Sequence, residues 1–315
     1  MNIREGSNVI ETRGLTKRFG ERVALNNVDI TVPGATAFGF VGPNGAGKTT
    51  FIRSVLGLTR TNGGNISLLG HAMPKEGSLA LARVGGIVEE PRFYPHLTGR
   101  ENLKIIAAAR ESQADGRIEG ALERVGLTDR ANERVKAYST GMRQRLGVAR
   151  CLLADPLLLI LDEPMNGLDP AGIDEFRILI RSFVSEGRSV FLSSHLLDEV
   201  EKTCDHVAII DRGNVLMQGL VEDIARRGKP TIRFRCDSPE TAAQLLASQP
   251  GVEHVRREED AVTAAIDAET RSEIDAIVAA LNRRLVESGI SVYAIETERV
   301  SLEKRFLEIT SRLGG

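Results

Sequence analysis

Between residues 8 and 41 apolar positions come in short bursts, "NVIETRGLTKRF", "VALNNVDITV" and "TAFGFVG", broken at Gly20 and at Pro33-Gly34. Bursts of this length between Gly and Pro read as strands. The third is nearly all apolar, as a strand buried on both faces is, and it runs into a glycine-rich turn. Directly after that turn, "TTFIRSVLGL" carries apolar residues at helical spacing. Farther on, "LLLILDEP" is an uninterrupted apolar strand ending in two acids, and "SVFLSSH" and "HVAIIDRGNVLMQG" read as further strands of the same kind. Between them "GIDEFRILIRSFVSEG" has helical periodicity. Apolar strands alternating with helices predict an α/β fold with a largely parallel sheet covered on both faces.

The pattern changes near "RRGKP", residues 226–230, which places a domain boundary there: 1–228 and 229–315. Beyond it come a strand ("TIRFRCD"), a helix ("PETAAQLLASQ") and a hairpin ("VEHVRREEDAVTAAID"). A long helix then sets Ile274, Ile277, Val278, Leu281 and Leu285 on one stripe, and "ISVYAIE" adds a strand. The last segment, "SLEKRFLEITSRL", spaces Leu302, Phe306, Ile309 and Leu313 as a helix with Ser301 as N-cap. This second part predicts a small α+β domain. It carries no catalytic motif.

Composition narrows the classes. The 315 residues include 41 Lys and Arg against 43 Asp and Glu, a net charge of −2, so nothing electrostatic points to nucleic acid as a partner. Three cysteines, Cys151, Cys204 and Cys236, have no metal-ligand spacing and fit a reducing compartment. The start of the chain is polar, without a signal-peptide pattern, and no apolar run approaches the roughly 18 residues that span a bilayer. Any action at a membrane requires another chain to supply the membrane part.

The turn itself carries the first chemistry. Gly42, Pro43, Asn44, Gly45, Ala46, Gly47, Lys48, Thr49 and Thr50 contain the full pattern G-x4-G-K-T between a strand and a helix. Glycines let backbone N–H groups converge on phosphate oxygens, and the helix presents its positive end. Lys48 adds a point charge for the β and γ phosphates, and Thr49 a hydroxyl for Mg²⁺. This loop is expected to bind a nucleoside triphosphate. Asp162, closing a buried strand, suits Mg²⁺ held through water, and Glu163 beside it can polarise an attacking water.

A second stretch, "YSTGMRQRLGVARCLLADP", precedes "LLLILDEPMNGLD". With the loop, these motifs resemble the nucleotide-binding subunit of an ABC transporter, over residues 9 to about 222 and in family order. The resemblance implies a P-loop NTPase cassette with an antiparallel N-terminal β part and a helical signature subdomain, hydrolysing ATP with Mg²⁺. It implies that Ser139 and Gly141 of "YSTGM" contact the γ-phosphate of ATP bound on an opposite subunit. A Ser-x-Gly turn opening a helix is also, on physical grounds, an anion site. By the same likeness Phe19 stacks on adenine, although a core role for Phe19 stays open. Asp169 of "NGLD" lies at the dimer interface, and His195 of "FLSSH" contacts the γ-phosphate and the attacking water. The partners implied are a second copy of the chain and a separate transmembrane permease, which holds the subunit at the cytoplasmic face of the cell membrane.

Two departures stand out. Thr140 and Met142 replace the usual glycine and glutamine of the signature, and Glu89 in "VGGIVEEPRFYPHLTGRENL" stands where the family has a glutamine that touches Mg²⁺. Two like charges ~4 Å apart at an effective dielectric of ~20 repel by about 4 kcal/mol. Glu89 must therefore face Mg²⁺, carry a proton, or point away until the site closes. An acid here, and the C-terminal tail, resemble drug and peptide-antibiotic exporters. A soluble ATPase acting on DNA or ribosomes would carry a long coiled-coil insertion or a second cassette, and neither is present. A silent regulatory subunit would lack Glu163 or His195. A GTPase is excluded by the absence of an Asn-Lys-x-Asp guanine reader.

Overall fold

A computed structural model describes residues 7–110, 113–226, 230–268, 270–298 and Phe306. Its contacts divide the chain into two compact units, Met1–Leu220 and Val221–Gly315. The division falls ahead of the change in composition at 226–230, because the helix Val221–Arg226 goes with the second unit.

The first unit contains β1 (Asn8–Phe19), β2 (Arg22–Pro33), β3 (Ala37–Val41), β4 (Gly63–Leu68), β5 (His71–Met73), β6 (Val84–Ile87), β7 (Leu158–Leu161), β8 (Ser189–Ser194), β9 (His206–Asp211) and β10 (Asn214–Leu220). They form two sheets: an antiparallel one, ordered β2-β1-β4-β5, and a larger one, ordered β10-β9-β3-β8-β7-β6. In the larger sheet β9, β3, β8, β7 and β6 are mutually parallel. The one difference in kind from the sequence pattern is β10, which folds back antiparallel on β9 through the tight turn at Arg212-Gly213. The shared core of the two sheets gathers Phe38, Phe40, Phe51 and Phe191 at zero exposure. Phe51 belongs to the helix Lys48–Val55 and packs 4.8 Å from Phe40, centroid to centroid, which seats that helix against β3. Helices Gly99–Ala108, Ile118–Arg124 and Thr140–Leu152 make up the helical part inserted between β6 and β7.

After the helix Val221–Arg226 the second unit folds as strand, helix, two strands, helix, strand. Its sheet of β11 (Thr231–Cys236), β12 (Val252–Arg257), β13 (Ala261–Ile266) and β14 (Val292–Glu298) is antiparallel in the order β12-β13-β11-β14. This is the split βαβ arrangement. The helix Arg271–Glu287 lays Leu281 and Leu285 into its core, with Ile274, Ile277 and Val278 packed at the margin. The terminal helix expected over 301–313 lies outside the described residues, apart from Phe306.

Candidate functional site

Four neighbouring parallel strands end on the same edge of the large sheet. β3 ends at Val41 and enters the glycine loop; β7 ends at Leu161 and delivers Asp162 and Glu163; β8 ends at Ser194 and delivers His195; β6 ends at Ile87, shortly before Glu89. The carboxyl edge of a parallel sheet is where ligands bind in such folds.

In the loop, glycine is required by space as well as by angle. A Cβ on Gly42 would lie 2.1 Å from the carbonyl oxygen of Ile210. Gly47, at φ +116, would put a Cβ 2.6 Å from the carbonyl of Ala24. Lys48 is only 6% exposed, and its Nζ donates to the carbonyl oxygens of Gly42 (2.7 Å) and Pro43 (3.3 Å). It also pairs with Glu163 Oε1 at 3.1 Å.

Glu163 therefore has two partners, because its Oε2 lies 2.9 Å from His195 Nδ1. A carboxylate accepts at this contact, so His195 donates its Nδ1–H to Glu163 and its Nε2 faces away from that pair. Glu163 holds a left-handed backbone, φ 48, ahead of Pro164, a conformation uncommon outside glycine. The neighbouring serine organises both acids. Ser193 Oγ donates to Asp162 Oδ1 at 2.6 Å and accepts the backbone N–H of Glu163 at 2.9 Å. Asp162 is thereby held almost fully buried at the strand end.

An open cleft of about 250 Å³ runs along these groups, lined by Phe19, Arg22, Asn44, Gly45, Gly47, Lys48, Thr49, Thr50 and Glu163, with Ala24 at its wall. Phe19 is 53% exposed, with the Lys17 ammonium 4.5 Å over its ring, so it offers an open aromatic face rather than a core contact. Hard oxygen donors from Thr49 and Asp162 suit Mg²⁺. Among the described residues no three His, Cys, Asp or Glu converge into a metal cage, and Mg²⁺ that shares phosphate oxygens and keeps its waters needs none.

Ser139, Gly141 and Asp169 are elsewhere. They line a second cleft, about 400 Å³, together with Thr140, Gly167 and Gly172. Ser139 caps the helix Thr140–Leu152, its Oγ accepting the Met142 N–H at 3.2 Å. Asp169 caps the helix Pro170–Ser185 through Gly172 N–H at 3.0 Å. Glu89 lines neither cleft; its Oε1 sits 2.6 Å from Arg53 Nη2.

Three contributors had no place in the motif reading. Arg22 faces the first cleft from across the β1–β2 turn, paired in register with Phe19. Ser193 was visible only as the middle residue of "FLSSH", and Arg53 as one charge on an amphipathic helix.

A family model described as ABC transporter matches residues 25–166. The uncharacterized ABC transporter ATP-binding protein YhcH of Bacillus subtilis is 39% identical over 309 residues, 96% of each chain. The bacitracin transport ATP-binding protein BcrA of Bacillus licheniformis is 38% identical over 304 residues, 96% of this chain and 97% of its own. Among solved structures, an ATP-binding subunit of an ABC transporter is 29% identical with a TM-score of 0.62, covering 70% of this chain and 92% of its own. Among the described residues no helix is long and apolar enough to cross a membrane. The chain belongs to the ABC transporter family, as an ATP-binding subunit whose ATPase activity is coupled to transport by a separate permease.

Proposed function

We propose that two copies of this chain close on two MgATP molecules and power a permease that exports an antibiotic, peptide, drug or lipid. One observation carries the two-copy arrangement: the phosphate cleft and the signature cleft are separate on the same unit, each with half of the needed groups. A second copy facing the first would bring Ser139 and Gly141 to the phosphate held by Lys48, and Asp169 to the shared interface. Within each site Phe19 stacks on the base and Lys48 holds the phosphates. Thr49 and Asp162 would hold Mg²⁺, whose charge offsets that of the phosphates. Glu163 orients the attacking water, with His195 fixing its carboxylate and reaching the γ-phosphate. Glu89 could serve as a further metal-facing ligand only after leaving Arg53. The likeness to a bacitracin transport protein along nearly the whole chain supports the exporter reading. The subunit then works at the cytoplasmic membrane face through its permease.

Light scattering in MgATP tests the arrangement. Glu163→Gln should run as a dimer, and adding Ser139→Arg should return it to a monomer that binds ADP as before. Loss of ADP binding in the Ser139→Arg chain would put Ser139 in its own chain's phosphate cleft and end the two-copy reading.

A further inference from the structure

The ion pair between Glu89 and Arg53 sits at the rim of the nucleotide cleft without lining it. Two placements establish this. The Asp162 N–H donates to the Ile87 carbonyl at 2.9 Å, so the loop that carries Glu89 leaves the sheet directly beside the acid pair. Arg53 lies on the helix Lys48–Val55, one turn beyond Thr49 and Thr50. Glu89 also holds φ 62, a left-handed conformation that a non-glycine residue keeps only when something holds it there. The contact holding its side chain is Arg53 at 2.6 Å. With side chains 44% and 62% exposed, the pair opens at small cost.

We propose that Arg53 is a positioning residue that keeps the Glu89 carboxylate away from the phosphate cleft, so that a nucleoside triphosphate enters against one fewer uncompensated negative charge. The triphosphate carries several negative charges to a site that already holds Asp162 and Glu163. An unpaired carboxylate on the adjoining loop would repel it, and could turn inward to compete for the cleft's cations, Lys48 and Arg22. Arg53 removes both effects. The proposal deepens the reading above and rests on its nucleotide site, but on neither the dimer nor the cargo.

The test is the dissociation constant of a non-hydrolysable ATP analogue for the full-length chain, with Mg²⁺ and at two salt concentrations. Arg53→Ala should weaken binding about 3- to 10-fold at low salt, and less at high salt, as expected for a solvent-exposed charge. Glu89→Gln should bind at least as well as wild type. In the double variant Arg53→Ala/Glu89→Gln the loss should vanish, because no carboxylate remains to be held. A loss that persists in the double variant would mean that Arg53 acts by its own charge or by supporting its helix, and would overturn the proposal. Wild-type binding by Arg53→Ala would overturn it equally. Lys48→Ala is the control: if it binds the analogue normally, the nucleotide-site reading itself fails, whereas a weakened Lys48→Ala beside an inert Arg53→Ala sinks only this inference.

Discussion

Glu163 is engaged twice, by Lys48 and by His195, and that makes its isosteric replacement informative before any hydrolysis occurs. Its Oε1 lies 3.1 Å from Lys48 Nζ, in surroundings where Lys48 is 6% and Glu163 19% exposed. At that separation and an effective dielectric of ~20 the gross attraction is about 5 kcal/mol. An incoming phosphate must take Lys48 from this partner, while the carbonyls of Gly42 and Pro43 remain. Most of the gross term is recovered as new ion pairing and solvation, which leaves a net competition of about 1–2 kcal/mol, where the scales of ordinary and charged hydrogen bonds meet. Glu163→Gln should therefore bind ADP roughly 5- to 30-fold more tightly. ADP is the right probe, since it involves neither hydrolysis nor a trapped product. ATP turnover in the same variant should fall by about 10²- to 10⁴-fold, the share expected of one positioned general base. Calorimetric titration of the full-length protein at low and high salt reads the first effect, and phosphate release with the permease present reads the second. ADP affinity equal to wild type would refute the competition between Glu163 and phosphate for Lys48. Near-normal turnover would remove Glu163 from the chemistry.

Other consequences concern the frame around the site. Gly39→Ala should destabilise the first unit by about 1–3 kcal/mol or more in denaturant titrations, because a Cβ there would lie 2.3 Å from Val200 Cγ1; Val200→Ala should restore much of the loss. Burial, partly opposed by Asp205, holds His206 below its ordinary value near 6.5. As pH falls through that value the unfolded chain takes up a proton the folded chain resists, so stability should drop from pH 7 towards 5, and His206→Phe, still able to stack on Phe38, should flatten that part of the profile. A chain ending at Leu220 should keep its ADP affinity but self-associate less, since one core spans Val9 to Val215 and the other Ile232 to Ile295; loss of ADP binding in a folded truncation would contradict separate units.

What could be read in advance follows from how local each device is. The phosphate loop is legible because its strand, turn and helix are continuous in sequence, and the glycine pattern reports a steric demand made within a few residues. The acid pair and His195 are legible for a related reason: each directly follows a strand apolar enough to be recognised. β6 was not legible, since "VGGI" has four residues and two glycines, and becomes a strand only by pairing with β7. The orientation of β10 was hidden in the same way, because one apolar run looks the same whichever way its neighbour points. The harder part was partnership across long separations in the chain. Ser193 is thirty-one residues from the Asp162 it holds, and Arg53 thirty-six from Glu89. Glu89 shows the consequence most clearly. From sequence an acid beside a triphosphate left three outcomes open, and the structure has it pointing away from the cleft, towards a cation on a neighbouring helix. The charge at position 89 is therefore half of a pair whose other half no motif records, and a variant at either position has to be interpreted with the other in view.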